Sequence, residues 1–157
     1  MIINWAGGQN FTIKTKGLNI NLGDKIKLGE LDINEPGEYE VGGVQLDRID
    51  GIVQVYLEGM NVGHMRKGKI LSDDEMQKLN GIDILLIGVG GGEFTETKTA
   101  LELISQIDPS IVIPMYSGNL EEFTKEEGGG AGAEELKITK AELPVDARKV
   151  VVLDARK

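Results

Sequence analysis

Apolar and polar residues alternate through the first part of the chain. The alternation covers residues 2–5, 11–15, 18–22 and 25–28, and it gives each segment one apolar and one polar face. This pattern is typical of half-buried β-strands. Short turns that contain glycine separate the segments, two of them short enough for hairpins. The pattern therefore predicts an antiparallel meander of short strands.

A turn at residues 35–37 leads into a second group of strands. Glu58 and Gly59 form a plausible hairpin turn between the last two of these strands. The predicted strands cover residues 39–41, 43–46, 52–57 and 60–62.

After these strands, the spacing of apolar residues changes from the two-residue period of strands to the period of helices. Ser72 followed by Glu75 is a capping box that predicts a short helix, which Gly81 would close. A second helix is predicted over residues 96–107, with an apolar stripe formed by Ala100, Leu101, Ile104 and Ile107.

Two almost uninterrupted apolar runs flank the second helix. Residues 82–87 and 111–113 fit strands that are buried on both faces, so this stretch predicts a parallel strand–helix–strand unit. Residues 119–127 are expected to form an acidic helix, followed by a glycine-rich loop at 128–133. Strands at 136–138 and 150–153 complete the predicted elements.

Composition narrows the class of protein. A length of 157 residues fits one domain, and no apolar run approaches the ~18 residues that would span a bilayer. There is no cysteine, and residues 1–5 lack a secretory pattern, so we expect a cytoplasmic protein. A net charge of -9 argues against nucleic acid and anionic membranes as partners.

Four segments, in this order, resemble the small metallo-beta-lactamase-fold hydrolases. They are residues 35–41, which contain Pro-Gly-Glu-Tyr-Glu, residues 83–92, residues 111–115, and residues 136–140 running into 143–144. Residues 3–7 are similar to the opening strand and turn of that family. The resemblance implies an α/β (mixed α+β) fold, an αββα sandwich of two mixed β-sheets, reduced in size and forming one truncated domain over residues 1–157.

The metal ligands that the resemblance implies are missing. The family's His-x-His-x-Asp-His loop corresponds to residues 29–34, which contain no histidine. The ligand aspartate after His64 corresponds to Arg66 or Lys67, and the histidine after Ile-Pro-Met corresponds to Tyr116. The early Gly-His-Ser corresponds to residues 8–10, Gly-Gln-Asn.

A metal ion in such a site is disfavoured on electrostatic grounds. A dication would meet a cation in place of a carboxylate, and a neutral phenol is a poor ligand. We therefore expect no metal, no cofactor and no catalytic residues of the family type. The candidate ligand-binding residues of the remnant cleft are His64, Arg66, Lys67, Lys69 and Tyr116.

Two glycine-rich segments resemble nucleotide-binding loops only in part. Residues 63–70 nearly match a phosphate-binding loop, but Ile70 lacks the hydroxyl group that would bind magnesium. Residues 88–92 are followed by Glu93 where a dinucleotide-binding loop needs glycine. We therefore interpret the first similarity as chance, and the family resemblance implies that the second segment is a structural wall of the cleft.

Three functional hypotheses remain open from the sequence. The first is a non-catalytic, metal-free binding or assembly module. The second is a metal-dependent hydrolase with a relocated site that uses Asp24, Asp32 or Glu38. The third is a regulator that binds a small anion or a nucleotide through the basic loop at residues 64–69. We also expect a homo-oligomer, because a shortened ligand loop would leave apolar sheet surface uncovered.

Overall fold

The computed structural model describes residues 1–118, 120–130 and 132–156. The first β-sheet is antiparallel throughout, with the strand order β12-β1-β2-β3-β4-β5. Its strands are β1 (Ile2–Trp5), β2 (Phe11–Thr15), β3 (Leu18–Leu22), β4 (Lys27–Leu28), β5 (Leu31–Asp32) and β12 (Leu136–Lys137). The predicted meander is therefore confirmed.

The second β-sheet is mixed. Its strands are β6 (Gly37–Val41), β7 (Val44–Ile49), β8 (Ile52–Leu57), β9 (Met60–Met65), β10 (Ile84–Gly88), β11 (Ile111–Met115) and β13 (Lys149–Val150), in the order β13-β11-β10-β9-β8-β7-β6. Strands β9, β10, β11 and β13 are parallel to one another, as the strand–helix–strand unit predicts. The carboxyl ends of β9, β10 and β11 therefore lie at one edge of the sheet.

Three α-helices accompany the second sheet within the described residues: α1 (Asp73–Gln77), α2 (Thr97–Ile107) and α3 (Glu121–Glu127). The capping box is present, because Ser72 and Glu75 each bond the other's main-chain N–H. Helix α1 ends at Gln77, however, with Lys78 and not Gly81 as its C-cap. Asp108 ends α2 in the left-handed conformation, with φ 54°. None of these helices is long and apolar enough to cross a membrane.

Some predicted boundaries were wrong. Leu103 joins Ala100 and Ile104 on the fully buried face of α2, whereas Leu101 and Ile107 of the predicted stripe are partly buried against the same core layer. Strand β9 runs on to Met65, because parallel pairing with β10 continues to that residue. The last strand covers only Lys149–Val150, and the acidic helix begins at Glu121. Asn119, in the predicted acidic helix, and Ala131, in the predicted glycine-rich loop, lie outside the described residues, as does Lys157.

The core has two layers, which the second sheet separates. Alternate residues of β10 point to opposite faces, as the pleat requires. Ile84 and Leu86 pack in the layer between the two sheets, whereas Leu85 and Ile87 pack in the layer beneath α2 and α3. The outer face of the first sheet carries exposed polar residues such as Lys14, Asn19 and Asn21. The mixed α/β fold with two β-sheets that we expected is thus observed.

Candidate functional site

A single row of paired residues crosses the second sheet near the edge where β9 and β10 end. In this row Arg48 on β7 faces Val53 on β8, which faces His64 on β9. Paired residues of neighbouring strands point to the same face. Arg48 and His64 therefore lie on the side of the sheet that faces the first sheet, near the ends of their strands.

The segment that follows β9 is fixed by a buried threonine. The N–H and the hydroxyl group of Thr95 both donate to the carbonyl oxygen of Arg66, each at 3.2 Å. The N–H of Gly68 donates to Thr95 Oγ1 at 2.9 Å. Because the Gly68 amide is already bonded and α1 begins only at Asp73, the segment does not form a phosphate-binding loop.

A basic cleft of about 340 Å³ lies at this edge. We use that name for the cleft lined by, among others, Gln9, Gly23, Arg48, His64, Arg66 and Lys67. The three cationic side chains bond to main-chain carbonyl oxygens: Arg48 to Ile33 at 2.8 Å, Arg66 to Glu93 at 3.1 Å and Lys67 to Gly92 at 3.0 Å. Within the described residues, none of the three forms an ion pair with a carboxylate.

His64 is a buried and neutral part of this cleft. Burial lowers its pKa below the ordinary 6.5 and outweighs the hydrogen bond to Gln9, which raises the pKa, and the nearby charge of Arg66 lowers the pKa further. In the neutral ring, Nε2–H donates to the carbonyl oxygen of Gln9 at 2.8 Å. The ring also meets Phe11 edge-on, with 5.9 Å between the ring centroids. Through these contacts, His64 links β9 to the turn that contains Gln9.

The turn at Gln9 and Asn10 directs its amide side chains at Asp24. Gln9 Nε2 donates to one carboxylate oxygen of Asp24 at 2.7 Å, and Asn10 Nδ2 donates to the other at 3.1 Å. These two hydrogen bonds are the main reason that the pKa of Asp24 lies below its ordinary value. Gln9, at the position that the resemblance assigns to a histidine, thus helps to orient the exposed carboxylate of Asp24.

Tyr116 lies apart from the basic cleft, at the far end of a row of rings. Its ring centroid is 4.9 Å from that of Trp5, and Trp5 is 6.3 Å from Phe11, which contacts His64. We call these four residues the aromatic row. Burial raises the pKa of Tyr116 above 10.0, as does the charge of Asp154, so the phenol stays neutral.

The structure brings together some of the predicted site residues and separates others. His64, Arg66 and Lys67 share the basic cleft, whereas Tyr116 does not line it. Lys69 lies in a neighbouring groove and forms an ion pair with Glu75 at 3.5 Å.

Sequence reasoning missed Arg48 as a cleft residue. A signal was present, because Arg48 continues the alternation of Val44 and Leu46, two buried residues on the same face of β7. A cationic residue on the buried face of a strand, close to the end of that strand, indicates a charge directed at a site.

The residues at the former ligand positions do not fit a catalytic metal. Gln9, Arg66 or Lys67, and Tyr116 replace the family ligands, and residues 29–34 belong to the hairpin of β4 and β5 and to its exit. Across residues 1–118, 120–130 and 132–156, no three side chains among His, Cys, Asp and Glu come together to hold an ion. A catalytic zinc site needs about three such ligands.

The carboxylates of the relocated-site hypothesis lie on different elements. Asp32 belongs to β5, at the end of the first sheet, and Glu38 belongs to β6, at the end of the second sheet. Asp24 bonds to Gln9 and Asn10, near the basic cleft. The structure thus does not bring these three together.

Comparison with known proteins agrees with this fold. Residues 4–116 match the family described as the beta-lactamase superfamily domain, and because this match covers most of the chain, the protein belongs to that family.

Two solved structures are similar over nearly the whole chain. A proposed Zn-dependent hydrolase of the metallo-beta-lactamase superfamily from Thermotoga maritima has 25% sequence identity and a TM-score of 0.81, with 98% of each chain covered. A metallo hydrolase from the archaeon Ignicoccus hospitalis has 14% identity and a TM-score of 0.66, with 99% of this chain and 96% of the other covered. The second likeness concerns the fold alone.

Proposed function

We propose that this protein is a metal-free member of its family that binds an anion in the basic cleft. The observation that carries the proposal is the convergence of Arg48, Arg66 and Lys67, none of which forms an ion pair with a carboxylate among the described residues. The carboxylate of Asp24 lies near enough for the charge of Arg66 to help lower its pKa, but its hydrogen bonds go to Gln9 and Asn10. On a chain with a net charge of -9, such a cluster is a local exception. The proposal combines two hypotheses from the sequence, the metal-free binding module and the anion-binding regulator.

The hydrogen-bonding capacity of the cleft supports an anionic ligand. A guanidinium group carries five N–H donors, and Arg48 and Arg66 each make one hydrogen bond to a carbonyl oxygen. The remaining donors suit the oxygen atoms of a phosphate or carboxylate, which arginine binds through paired hydrogen bonds. Neutral His64 adds no positive charge at pH 7, so Arg48, Arg66 and Lys67 define the positive site.

The binding test uses inorganic phosphate as the probe. Phosphate at millimolar concentration should raise the melting temperature, because a ligand that binds only the folded state stabilises it. Lys67→Gln should weaken binding about tenfold, through the loss of one charge-assisted hydrogen bond. Lys98→Gln is the matched control, because Lys98 is an exposed lysine on α2 and is not among the residues that line the cleft. An equal phosphate shift in both variants would contradict the proposal.

The competing hypothesis of an active metal-dependent hydrolase has a separate test. The similar structures are described as hydrolases, so retention of a metal must be measured directly. The protein is exposed to zinc and manganese and dialysed, and its metal content is determined by plasma mass spectrometry. One bound ion per chain after dialysis would overturn the metal-free proposal.

A further inference from the structure

A second groove adjoins the basic cleft. It has a volume of about 330 Å³, and Gly51, Ile52 and Lys67 line both the groove and the cleft. Lys67 Nζ bonds to Gly92 next to the cleft. A molecule bound at Lys67 can therefore extend from the cleft into the groove without crossing the core.

The groove is apolar along its floor. Ile52 and Met65 are buried, and Leu71 is partly buried, and all three pack in the core layer beneath α2. The side chain of Gln106 holds the main chain of Leu71 in place. The Leu71 N–H donates to Gln106 Oε1 at 3.0 Å, and Gln106 Nε2 donates to the carbonyl oxygen of Leu71 at 2.5 Å. These side chains form a firm surface on which an uncharged hydrocarbon chain would lose its contact with water.

The charges on the groove differ from those of the cleft. Two carboxylates, Asp50 and Glu75, lie on the groove, and Glu75 is partnered by Lys69 and by the N–H of Ser72. Lys67 and Lys69 also line the groove, so its two negative and two positive charges balance, and it offers no net attraction to a second anionic group. The pair of sites therefore suits a ligand with one anionic end and an uncharged apolar body.

We propose that the ligand is an amphiphilic anion, a carboxylate or phosphate monoester whose head lies in the basic cleft and whose hydrocarbon chain lies in the adjoining groove. This inference rests on the proposed anion binding. It adds the chemical class of the ligand and its orientation, with the chain directed toward Leu71.

Titration calorimetry with a series of chain lengths tests the inference. The probes are propionate, hexanoate and octanoate at constant ionic strength, together with inorganic phosphate and octyl phosphate. Each added CH₂ group should tighten binding about twofold to fourfold while the groove accommodates it, as expected for partial to full burial of a CH₂. Comparison of octanoate with octyl phosphate shows which head group the cleft prefers.

Substitutions at Leu71 separate the groove from the cleft. Leu71→Ser should abolish the dependence on chain length and leave the affinity for inorganic phosphate unchanged. Leu71→Met keeps an apolar side chain of similar volume, so it should retain the dependence, and this shows that folding is not the cause. Leu31→Ser is the control, because Leu31 is an exposed leucine on β5 and is not among the residues that line the groove.

Each outcome of the titration has a distinct meaning. Equal affinity along the series, with phosphate binding that still depends on Lys67, would overturn the amphiphile and leave the anion site in place. Chain-length dependence that survives Leu71→Ser would also overturn the amphiphile, because the chain would lie elsewhere. Absence of binding by every anion would overturn the inference together with the anion site on which it rests.

Discussion

The protonation state of His64 follows from its burial. The side chain is 6% exposed, and its ring nitrogen Nε2 bonds to the Gln9 carbonyl oxygen. In an unfolded chain the same ring has a pKa of about 6.5. Because the folded pKa is lower, the unfolded state takes up a proton first as the pH falls.

Stability should therefore decrease as the pH falls below about 6.5, the unfolded pKa of histidine, and the decrease should level off below the folded pKa of His64. Urea unfolding between pH 7.5 and pH 5 would measure this, because most carboxylates titrate below that window. The His64→Gln variant keeps an N–H donor and should show a flatter pH profile. An unchanged profile in this variant would show that another group is responsible.

The residues of the cleft differ in how far the sequence predicted them. Arg66 and Lys67 follow from the resemblance, because they take the place of a ligand in a recognisable segment. Gln9 also takes the place of a family histidine in the sequence. Arg48 does not follow from the resemblance, and only the folded structure shows that it lines the cleft. Tyr116 occupies the predicted position in the sequence, but its ring packs on Trp5, a contact that no local pattern reveals.

At the scale of elements, a buried polar network ties the loop between α1 and β10 to the second sheet. Gln54 on β8 donates to the carbonyl oxygen of Lys78 at 3.2 Å and accepts from Asn61 and from the N–H of Asn80, both at 3.1 Å. The N–H of Asn61 donates to Asp83 at 2.8 Å. Each partner inside the protein would lack a hydrogen bond if Gln54 were apolar.

Gln54→Leu should lower the free energy of unfolding by about 2–3 kcal/mol, because it leaves buried donors and acceptors unsatisfied. Chemical denaturation measures the change. Gln45→Leu is the control at an exposed position on the neighbouring strand, and it should change stability by less than about 0.5 kcal/mol. Similar losses in the two variants would show that the network contributes little.

Gly88, at the end of β10, permits the close approach of the segment after β9. A Cβ atom at this position would overlap the carbonyl oxygen of Arg66 and lie 2.8 Å from the ring of Phe94. Gly88→Ala should therefore destabilise the fold by about 1–3 kcal/mol, as overpacking does, and weaken phosphate binding by displacing Arg66 and Lys67. Thermal unfolding and phosphate titration measure the two effects.

The control for this substitution is Gly130→Ala, since a Cβ at Gly130 has no neighbour within 4 Å. It should leave both quantities unchanged. If Gly88→Ala lowered stability without altering phosphate affinity, the position of the segment after β9 would not determine binding.

Strand and helix types were largely predictable, whereas some lengths were not. The alternation in β2 and β3 and the apolar runs of β10 and β11 identify these strands directly. The end of β9 depends on its parallel partner, which is distant in the sequence. The alternation at residues 25–28 predicted β4 but made it two residues too long, and the two-residue strand β5 is too short to show a period at all.

At the scale of the whole molecule, the loss of metal ligands is distributed over several elements. Restoring one or two of them should therefore not restore a metal site. Tyr116→His combined with Arg66→Asp should retain less than one zinc ion per chain after dialysis, because Gln9 and the β4–β5 hairpin still supply no histidine. Plasma mass spectrometry decides the outcome, with Lys98→His as the control for surface binding.

Self-association stays a prediction of the sequence. Among the described residues, the large apolar side chains that are exposed include Leu31, Tyr56, Ile70 and Val145. Burial of some of them between copies would remove apolar surface from water. Light scattering coupled to size exclusion should show a species larger than the 17.0 kDa chain. A monomer at micromolar concentration would contradict the prediction.

The aromatic row gives this protein a built-in optical reporter. Trp5 is the single tryptophan of the chain, it is 4% exposed, and its indole N–H bonds to Gly8, one residue before Gln9. Its fluorescence therefore arises from one buried position. That position contacts Tyr116 and is bonded to the turn that carries Gln9 into the basic cleft. Emission from the unlabelled protein can follow events at both ends of the aromatic row.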